Sequence, residues 1–479
     1  MQLIEVLDGA EMDLTNQKVI GQTEISGLTC DSRQVKPGFI FAALPGHHLD
    51  GRDFIPNAIS RGAVCVLAPP GTTLPKNTTP SSANKPISLL RHSNPRRQFA
   101  LMASLFYGKQ PETICAVTGT NGKTSVVDFL RQIWTGLGYN PASIGTLGTS
   151  SVEIKGGGGM TTPDSVELHR KLRDLSKCGI NHLALEASSH GLHQHRLDGV
   201  RVKVAAFTNL THDHLDYHRS MDNYLAAKLR LFTEIIMPNG TAVINKDGEF
   251  SDAVEAVCLN RGLRVISFGE QDSDICLRAS KIIPSGYLLD ISVFGSSFKV
   301  HLPLIGNFQI SNALAAATMA IADGENAEKV ISQLEHLKGV SGRLELAGRV
   351  PNGASVFIDY AHTPDALSTV LRALRLHTTN KLHVVFGCGG ARDAGKRSKM
   401  GALAYRLADV IIVTDDNPRT EDPSKIRAQI LSRALSSIEI SDREEAICES
   451  VKGLGEGDIL VVAGKGHETG QIVGLEFHG

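Results

Sequence analysis

Residues 114–124 constrain the fold more than any other stretch. Ile114 to Val117 is a short apolar run that leads straight into Thr118-Gly119-Thr120-Asn121-Gly122-Lys123-Thr124, after which a helical pattern begins. A strand that passes through a glycine turn into a helix is the start of a βαβ unit, and such units build parallel sheets covered by helices. Apolar runs at 182–185, 202–207 and 242–244, most of them separated by helical patterns, continue the alternation. The class expected is therefore α/β, with a mostly parallel central sheet.

The chain has 479 residues, and roughly 150 residues per domain gives about three domains. Residues 69–97 are rich in Pro, Thr, Ser and Asn and read as loop chemistry. Before them, strand-like runs at 40–44 and 63–68 flank a short helical pattern at 54–61. This predicts a small N-terminal α/β domain over 1–92. The central, P-loop ATPase-like domain is expected over 93–336. It opens with a helix at 97–107, and alternating runs at 287–293 and 298–302 add antiparallel strands before a helix at 311–322. A C-terminal Rossmann-like domain is expected over 337–479, with strands at 355–358, 382–386, 410–413 and 459–462, each followed by a polar, Gly-rich or Pro-rich turn. In open parallel sheets, ligands bind beyond the carboxyl ends of the strands. The run Gly156 to Gly159 reads as a flexible loop.

Charge narrows the function. Lys+Arg total 49 and Asp+Glu 50, a formal net charge of -1, so no basic excess supports a general nucleic-acid or polybasic membrane binder. Acidic residues interrupt the first apolar run, no basic segment precedes it, and no apolar stretch of about 18 residues occurs. The eight cysteines are scattered and form no CxxC pair. A cytoplasmic protein with reduced thiols and no zinc site is expected.

The glycine loop suits phosphate. Backbone N–H groups and a helix N-terminus attract the anion; Lys123 would pair with the β- and γ-phosphates of ATP, and Thr124 would ligate Mg²⁺. The spacing departs from the standard P-loop, because only Thr120 and Asn121 separate Gly119 from Gly122. Glu186 ends a strand and offers the hard oxygen that Mg²⁺ prefers, although a solvated loop acid would look the same. Thr208 to His218 contains three histidines and two aspartates within seven residues, yet no matching zinc partners occur elsewhere. Lys228, by pattern alone, is one helix lysine among many.

At this loop the chain resembles the Mur ligases, the ATP-dependent amide-bond ligases of peptidoglycan synthesis. The loop also fits the related folylpolyglutamate synthetases. The segment Glu186-Ala187-Ser188-Ser189-His190-Gly191-Leu192 and the Asn209 to His218 stretch are similar to further Mur motifs. The resemblance implies that His214 works near the metal. It also implies that Lys228, in Tyr224 to Phe232, is carbamylated by CO₂ into an anion able to ligate a second Mg²⁺. Ser341 to Glu345 and Asp359 to Asp365 are similar to motifs that put Arg343 on ATP phosphate and Asp359 on the nucleotide, with Asn312 also serving ATP. Thr363-Pro364 equally reads as a helix start.

Asp416-Asn417-Pro418-Arg419 looks like the signature of ligases that add meso-diaminopimelate. That amino acid differs from lysine by one carboxylate, which a guanidinium grips bidentately. The resemblance adds Arg392, Gly464 and Glu468 to the same pocket. It assigns Cys30, Ser32, His47, His48 and Leu49 to the UDP end of the sugar-nucleotide substrate, and Thr161, Thr162, Ser188, Gln194 and Arg196 to its muramoyl-peptide end. Ala391 and Gln309 depart from the family pattern, and relatives continue beyond Gln471 with another strand and helix. The activity implied is ATP-dependent joining of meso-diaminopimelate to UDP-N-acetylmuramoyl-L-Ala-D-Glu through an acyl phosphate, by a monomer whose third domain closes over the substrates. A lysine-adding ligase of the same family, a folate or cyanophycin-type ligase and a non-catalytic nucleotide-binding regulator are the alternatives.

Overall fold

The computed structural model describes residues 1–7, 13–14, 23–46, 49–75, 87–151, 160–283, 285–391, 393–468, 470–474 and 476–478. The chain divides into two compact units: Met1–Ser273 with Thr318–Asn326, and Asp274–Ala317 with Ala327–Gly479.

The first unit carries two sheets. The N-terminal one runs Asp13–Leu14, Ser88–Arg91, Cys65–Ala68, Phe39–Ala42, Gly27–Thr29 and is parallel apart from its first strand. Side chains alternate between its faces. Ile40, Ala42, Cys65 and Leu67 pack with Leu3, Val6, Phe99 and Met102, while Phe41, Val66 and Ala68 pack with Ile55, Ala58 and Ile59. The turn-rich stretch 69–97 is thus not loop throughout, because Leu89 and Leu90 fill opposite faces and make Ser88–Arg91 a strand. Helix Pro95–Tyr107 follows. Asn94 caps it by accepting from the Arg97 N–H at 3.1 Å, and proline opens its first turn.

The second sheet of this unit has the order Arg264–Gly269, Ile236–Asn245, Val202–Phe207, Thr113–Thr118, His182–Glu186, Pro141–Gly145, Gly148–Ser150, parallel except for the last strand. Strands Thr113–Thr118, His182–Glu186 and Pro141–Gly145 are buried along their whole length, as expected of parallel strands covered on both faces. Successive connections leave Thr113–Thr118 toward one side and then cross to Val202–Phe207 on its other side. The strand that feeds the glycine loop therefore lies at the topological switch point, where open α/β sheets bind ligands. The carboxyl ends of its two neighbours carry Glu186 and the Thr208–Asn209 turn.

The second unit holds an antiparallel meander, Ile275–Ile283, Gly286–Val293 and Ser296–Leu302. Its main sheet runs Glu345–Arg349, Ser355–Asp359, Ile459–Ala463, Leu382–Phe386, Val410–Val413, Ile438–Glu439, with only the first strand antiparallel. Helix Pro364–Arg375 is capped by Thr363, which accepts from Ala366 N–H at 3.3 Å. A hairpin of Gln471–Val473 and Glu476–His478 ends the described chain. All eight cysteines are free. Among the described residues, no helix is long and apolar enough to cross a membrane.

Candidate active site

The glycine loop is fastened to the turn after the neighbouring strand. Thr120 N–H donates to Asn209 O at 2.9 Å and Asn121 N–H donates to Asn209 Oδ1 at 2.9 Å. Thr208 Oγ1 returns a bond to Asn121 O at 2.7 Å. Gly119 has φ 150°, and a Cβ there would meet Thr208 Oγ1 at 1.9 Å, so no side chain fits. Gly122 has φ 89° and forms the left-handed entry to helix Lys123–Gly136. Two of the loop's N–H groups are thus spent on Asn209, and the anion-attracting part of the segment is the start of that helix.

Two lysines converge on this loop. Lys123 Nζ donates to the carbonyls of Gly119 and Thr120, both at 2.9 Å. Lys228, on helix Met221–Arg230, is only 1% exposed and donates to the same Gly119 carbonyl at 2.7 Å, with its Nζ 4.3 Å from the Tyr224 ring centre. Burial, and then the Lys123 charge, hold the Lys228 amine well below the usual lysine range. Lys228 is therefore not one solvated helix lysine among many.

Glu186 is 1% exposed; its two oxygens accept from Thr146 N–H at 2.8 Å and Thr146 Oγ1 at 3.1 Å. Thr146 Oγ1 lies 3.0 Å from Thr161 Oγ1. His214 is exposed and sits in the left-handed region at φ 53°, with Asp213 3.5 Å away and the His190 ring at 4.8 Å. Of the other histidines in this stretch, His212 is exposed, whereas His218 is buried against Ser189 Oγ at 3.1 Å and pushed down to about 4 by burial. The donor set fits a hard cation, since Thr124 offers a hydroxyl at the start of the loop's helix and Glu186 a carboxylate at the adjacent strand end.

The residues matched to the muramoyl-peptide end gather beside Glu186. Thr162 Oγ1 donates to Glu186 O at 2.8 Å and lies 3.0 Å from Ser188 Oγ, which caps helix Ser189–His193. The Arg196 guanidinium donates to Thr162 O and to Gln194 Oε1, both at 2.7 Å. Burial lowers its pKa, and Asp164, Tyr217, Arg96 and Cys30 all act on it electrostatically. The thiol of Cys30 therefore belongs to the same neighbourhood. Ser32 is buried in a short helical turn, and Leu49 is exposed. His47, His48 and Arg392, together with Gly156 to Gly159, lie outside the described residues.

In the second unit, Asp359 ends its strand and is buried. Its carboxylate accepts from Leu344 N–H at 2.6 Å and Ala361 N–H at 2.7 Å, so it binds the 341–345 turn to the strand end. Burial pushes this carboxyl up to about 6 against the pull of Arg343. The Arg343 guanidinium lies 4.6 Å over the Tyr360 ring. Asn312 donates to Gln309 Oε1 at 2.9 Å, and Gln309 donates onward to Arg343 O at 3.4 Å. The glutamine that departs from the family pattern thus spans from helix Asn307–Asp323 to the arginine's backbone.

Residues 416–419 and 464–468 meet across two strand ends. Lys465, 8% exposed, reaches Asp416 Oδ1 at 3.2 Å, Asn417 Oδ1 at 2.8 Å and Glu468 Oε2 at 3.3 Å. Asn417 Nδ2 also donates to Glu468 at 3.1 Å. A Cβ on Gly464 would lie 3.1 Å from Asp416 Oδ2. Arg419, at φ 51°, donates from Nη1 to Gly390 O at 2.9 Å, and its backbone pairs with Ile472 O and Gly474 N–H at 3.0 and 2.8 Å. Pro418 O lies 1.9 Å from where a Gly390 Cβ would stand. Ala391 is left-handed at φ 52° and its N–H donates to Glu421 at 2.5 Å.

Sequence reasoning passed over several of these. Lys465 sat between two matched residues without a role of its own. Thr146 follows the buried strand Pro141–Gly145, and its position at a strand's carboxyl end was the available signal. Arg397 is buried against Gly389 O and Glu421, at 3.2 and 2.9 Å, and nothing in its helical pattern marks it.

Fold and strand-end residues are those of a phosphate-binding α/β protein, and the comparisons give its class as an ATP-dependent ligase. Residues 24–107 match the Mur ligase family catalytic domain, 117–320 the Mur ligase middle domain and 342–466 the Mur ligase glutamate ligase domain. The chain belongs to the Mur ligase family. It is 48% identical to the UDP-N-acetylmuramoyl-L-alanyl-D-glutamate--2,6-diaminopimelate ligase of Caulobacter vibrioides, covering 97% of this chain and 95% of that one. It is 49% identical to the protein of the same name from Rhizobium meliloti, over 94% and 91% of the two chains. A solved structure of a ligase with that name superposes with a TM-score of 0.70 at 32% identity, covering 100% of this chain and 96% of the other. The folylpolyglutamate synthase of Mycobacterium tuberculosis shares the fold, with a TM-score of 0.64 at 18% identity over 76% and 91% of the chains.

Proposed function

We propose that this protein is the ATP-dependent ligase that joins meso-diaminopimelate to the D-Glu residue of UDP-N-acetylmuramoyl-L-Ala-D-Glu in peptidoglycan precursor synthesis. The observation that carries the choice of amino acid is the cluster of Asp416, Asn417 and Glu468 around the buried Lys465, with the Arg419 guanidinium beside it on Gly390 O and Asn417 O. Mixed charge of this kind suits a zwitterionic amino acid, and Arg419 supplies the fork that a distal carboxylate requires. Relatives at 48 and 49% identity carry this activity in their names.

The reading divides the work along the chain. Residues 1–92 take the UDP end, 93–336 take ATP and the muramoyl peptide, and 337–479 take the amino acid. ATP gives its γ-phosphoryl group to the D-Glu γ-carboxylate, forming an acyl phosphate and ADP. The diaminopimelate amine then attacks the acyl carbon, and phosphate leaves from the tetrahedral intermediate. Lys123, Arg343 and the start of helix Lys123–Gly136 stabilise the phosphates, with Asn312 and Asp359 holding the nucleotide side. Arg196, Thr161, Thr162, Ser188 and Gln194 hold the peptide acceptor so that the reacting carboxylate is aligned.

Mg²⁺, held by Thr124, Glu186 and His214, would neutralise phosphate charge. The depressed pKa of Lys228 supports its carbamylation, because only the neutral amine attacks CO₂. The carbamate would add an oxygen donor to the same set.

An assay offering isotopically labelled meso-diaminopimelate and L-lysine side by side tests the proposal. Incorporation of diaminopimelate in preference to lysine is expected. Preference for lysine would overturn the assignment of Arg419.

A further inference from the structure

Outside the residues that face the substrates, one carboxylate gathers more charged partners than any mechanism assigned above explains. Asp198 is 3% exposed. It takes Arg97 Nε at 3.2 Å, His195 Nδ1 at 3.3 Å and Arg230 Nη2 at 3.2 Å, and its backbone carbonyl lies 3.0 Å from His169 Nε2. These partners come from separate elements. Arg97 is in the first turn of helix Pro95–Tyr107, Arg230 ends helix Met221–Arg230, and His195 belongs to the turn after helix Ser189–His193.

The turn from His195 to Gly199 is pinned to helix Pro95–Tyr107 along much of its length. His195 is left-handed at φ 59°, and its Nε2 lies 2.9 Å from Asn94 Nδ2. Ser104 Oγ and Gln110 Nε2 donate to Gly199 O at 2.9 and 2.8 Å. Gly199 has φ 86°, and a Cβ there would meet Ser104 Cβ at 2.6 Å. On the other side, Arg230 donates to Leu192 O, lies 2.8 Å from His195 Nδ1 and pairs with Glu234 at 2.7 Å.

Arg196 lies in this turn between His195 and Asp198, and its N–H donates to Gly191 O at 2.8 Å. Its guanidinium is aimed at Thr162 O and Gln194 Oε1 by the turn that Asp198 holds. Two residues before Arg230, on the same helix, is Lys228. We propose that Asp198 is a positioning residue for the muramoyl-peptide end of the site, acting through Arg97, His195 and Arg230 to fix Arg196. The proposal rests on the reading that Arg196 contacts the UDP-linked peptide. Without the carboxylate, the Arg97 and Arg230 guanidiniums lose the anion between them, the strained turn relaxes, and Arg196 shifts. A displacement near 1 Å of a substrate-holding group costs up to about a hundredfold.

The test is steady-state kinetics of Asp198→Asn, Arg97→Ala, Arg97→Lys and Arg196→Ala with UDP-N-acetylmuramoyl-L-Ala-D-Glu, ATP and meso-diaminopimelate varied in turn. Asp198→Asn is expected to raise KM for the UDP-linked peptide about ten- to a hundredfold while KM for ATP stays within about twofold. Arg97→Ala should show the same split more weakly, and Arg97→Lys should recover part of it. Arg97 is half exposed and can be replaced without emptying the core, so it serves if Asp198→Asn does not fold. Unchanged KM values with only a lower melting temperature or a smaller active fraction would mean a purely structural role and overturn the proposal. Arg196→Ala separates the two readings. If its KM for the UDP-linked peptide is normal, the substrate assignment itself fails; if it is raised while the Asp198 and Arg97 variants are normal, the positioning role alone fails.

Discussion

Lys123 and Lys228 donate to one oxygen, the carbonyl of Gly119, at 2.9 and 2.7 Å. Two ammonium groups on one acceptor, one of them fully buried, is a costly arrangement. It is relieved if Lys228 is neutral, and relieved further if Lys228 becomes a carbamate facing the Lys123 cation.

Lys228→Met removes the buried amine without emptying its volume. We expect kcat to fall by about 100-fold or more, while the melting temperature holds or rises because a buried polar amine is replaced by an apolar side chain of similar volume. Wild-type turnover in this variant would contradict a catalytic role for Lys228.

Arg419 uses Nη1 on the Gly390 carbonyl, which orients the rest of its guanidinium. Replacing it by lysine keeps a charge but loses the planar fork. Arg419→Lys should raise KM for meso-diaminopimelate by about tenfold or more, the worth of one charge-assisted hydrogen bond, and leave KM for ATP unchanged. Equal affinity for diaminopimelate in both forms would contradict the assignment.

Lys465 neutralises Asp416 and Glu468 while holding Asn417. Lys465→Met leaves two carboxylates close together with one cation fewer. We expect the diaminopimelate KM to rise about tenfold or more, again the worth of a charged hydrogen bond, with the UDP-linked peptide KM unchanged. The readout is the pair of KM values.

Asp359 gives a pH signature. Its carboxyl is raised from 3.8 to about 6 by burial, so the fold favours the protonated form. The stability it contributes is present below the unfolded pKa and is lost as pH rises through about 6. The melting temperature of wild type, relative to Asp359→Asn, should therefore decline between about pH 4.5 and about pH 7.5. A difference that grows over that interval would contradict the assignment of burial as the dominant cause.

Strand ends were legible in the sequence because buried parallel strands read as short apolar runs stopped by polar turns. Runs such as 202–207, 382–386 and 410–413 coincide with observed strands. Ser88–Arg91 was obscured by the Pro- and Thr-rich residues before it. Pairwise roles were less legible. Asp359 carries a resemblance-based nucleotide role, but the sequence does not show that its two oxygens also accept main-chain N–H groups, one from a turn 15 residues earlier. The role of Lys465 depends on Asp416 and Asn417, which reach it from the end of Val410–Val413, two strands away across Leu382–Phe386 in the same sheet. Asp198 carries no motif, and its importance emerges only when helices distant in sequence deliver Arg97 and Arg230 to it.

Phosphate release measured with purified protein, ATP and Mg²⁺ tests the central claim most directly. Release is predicted to require UDP-N-acetylmuramoyl-L-Ala-D-Glu and meso-diaminopimelate together, with L-lysine a poor substitute for the latter. Release independent of either partner, or supported equally well by lysine, would contradict the account.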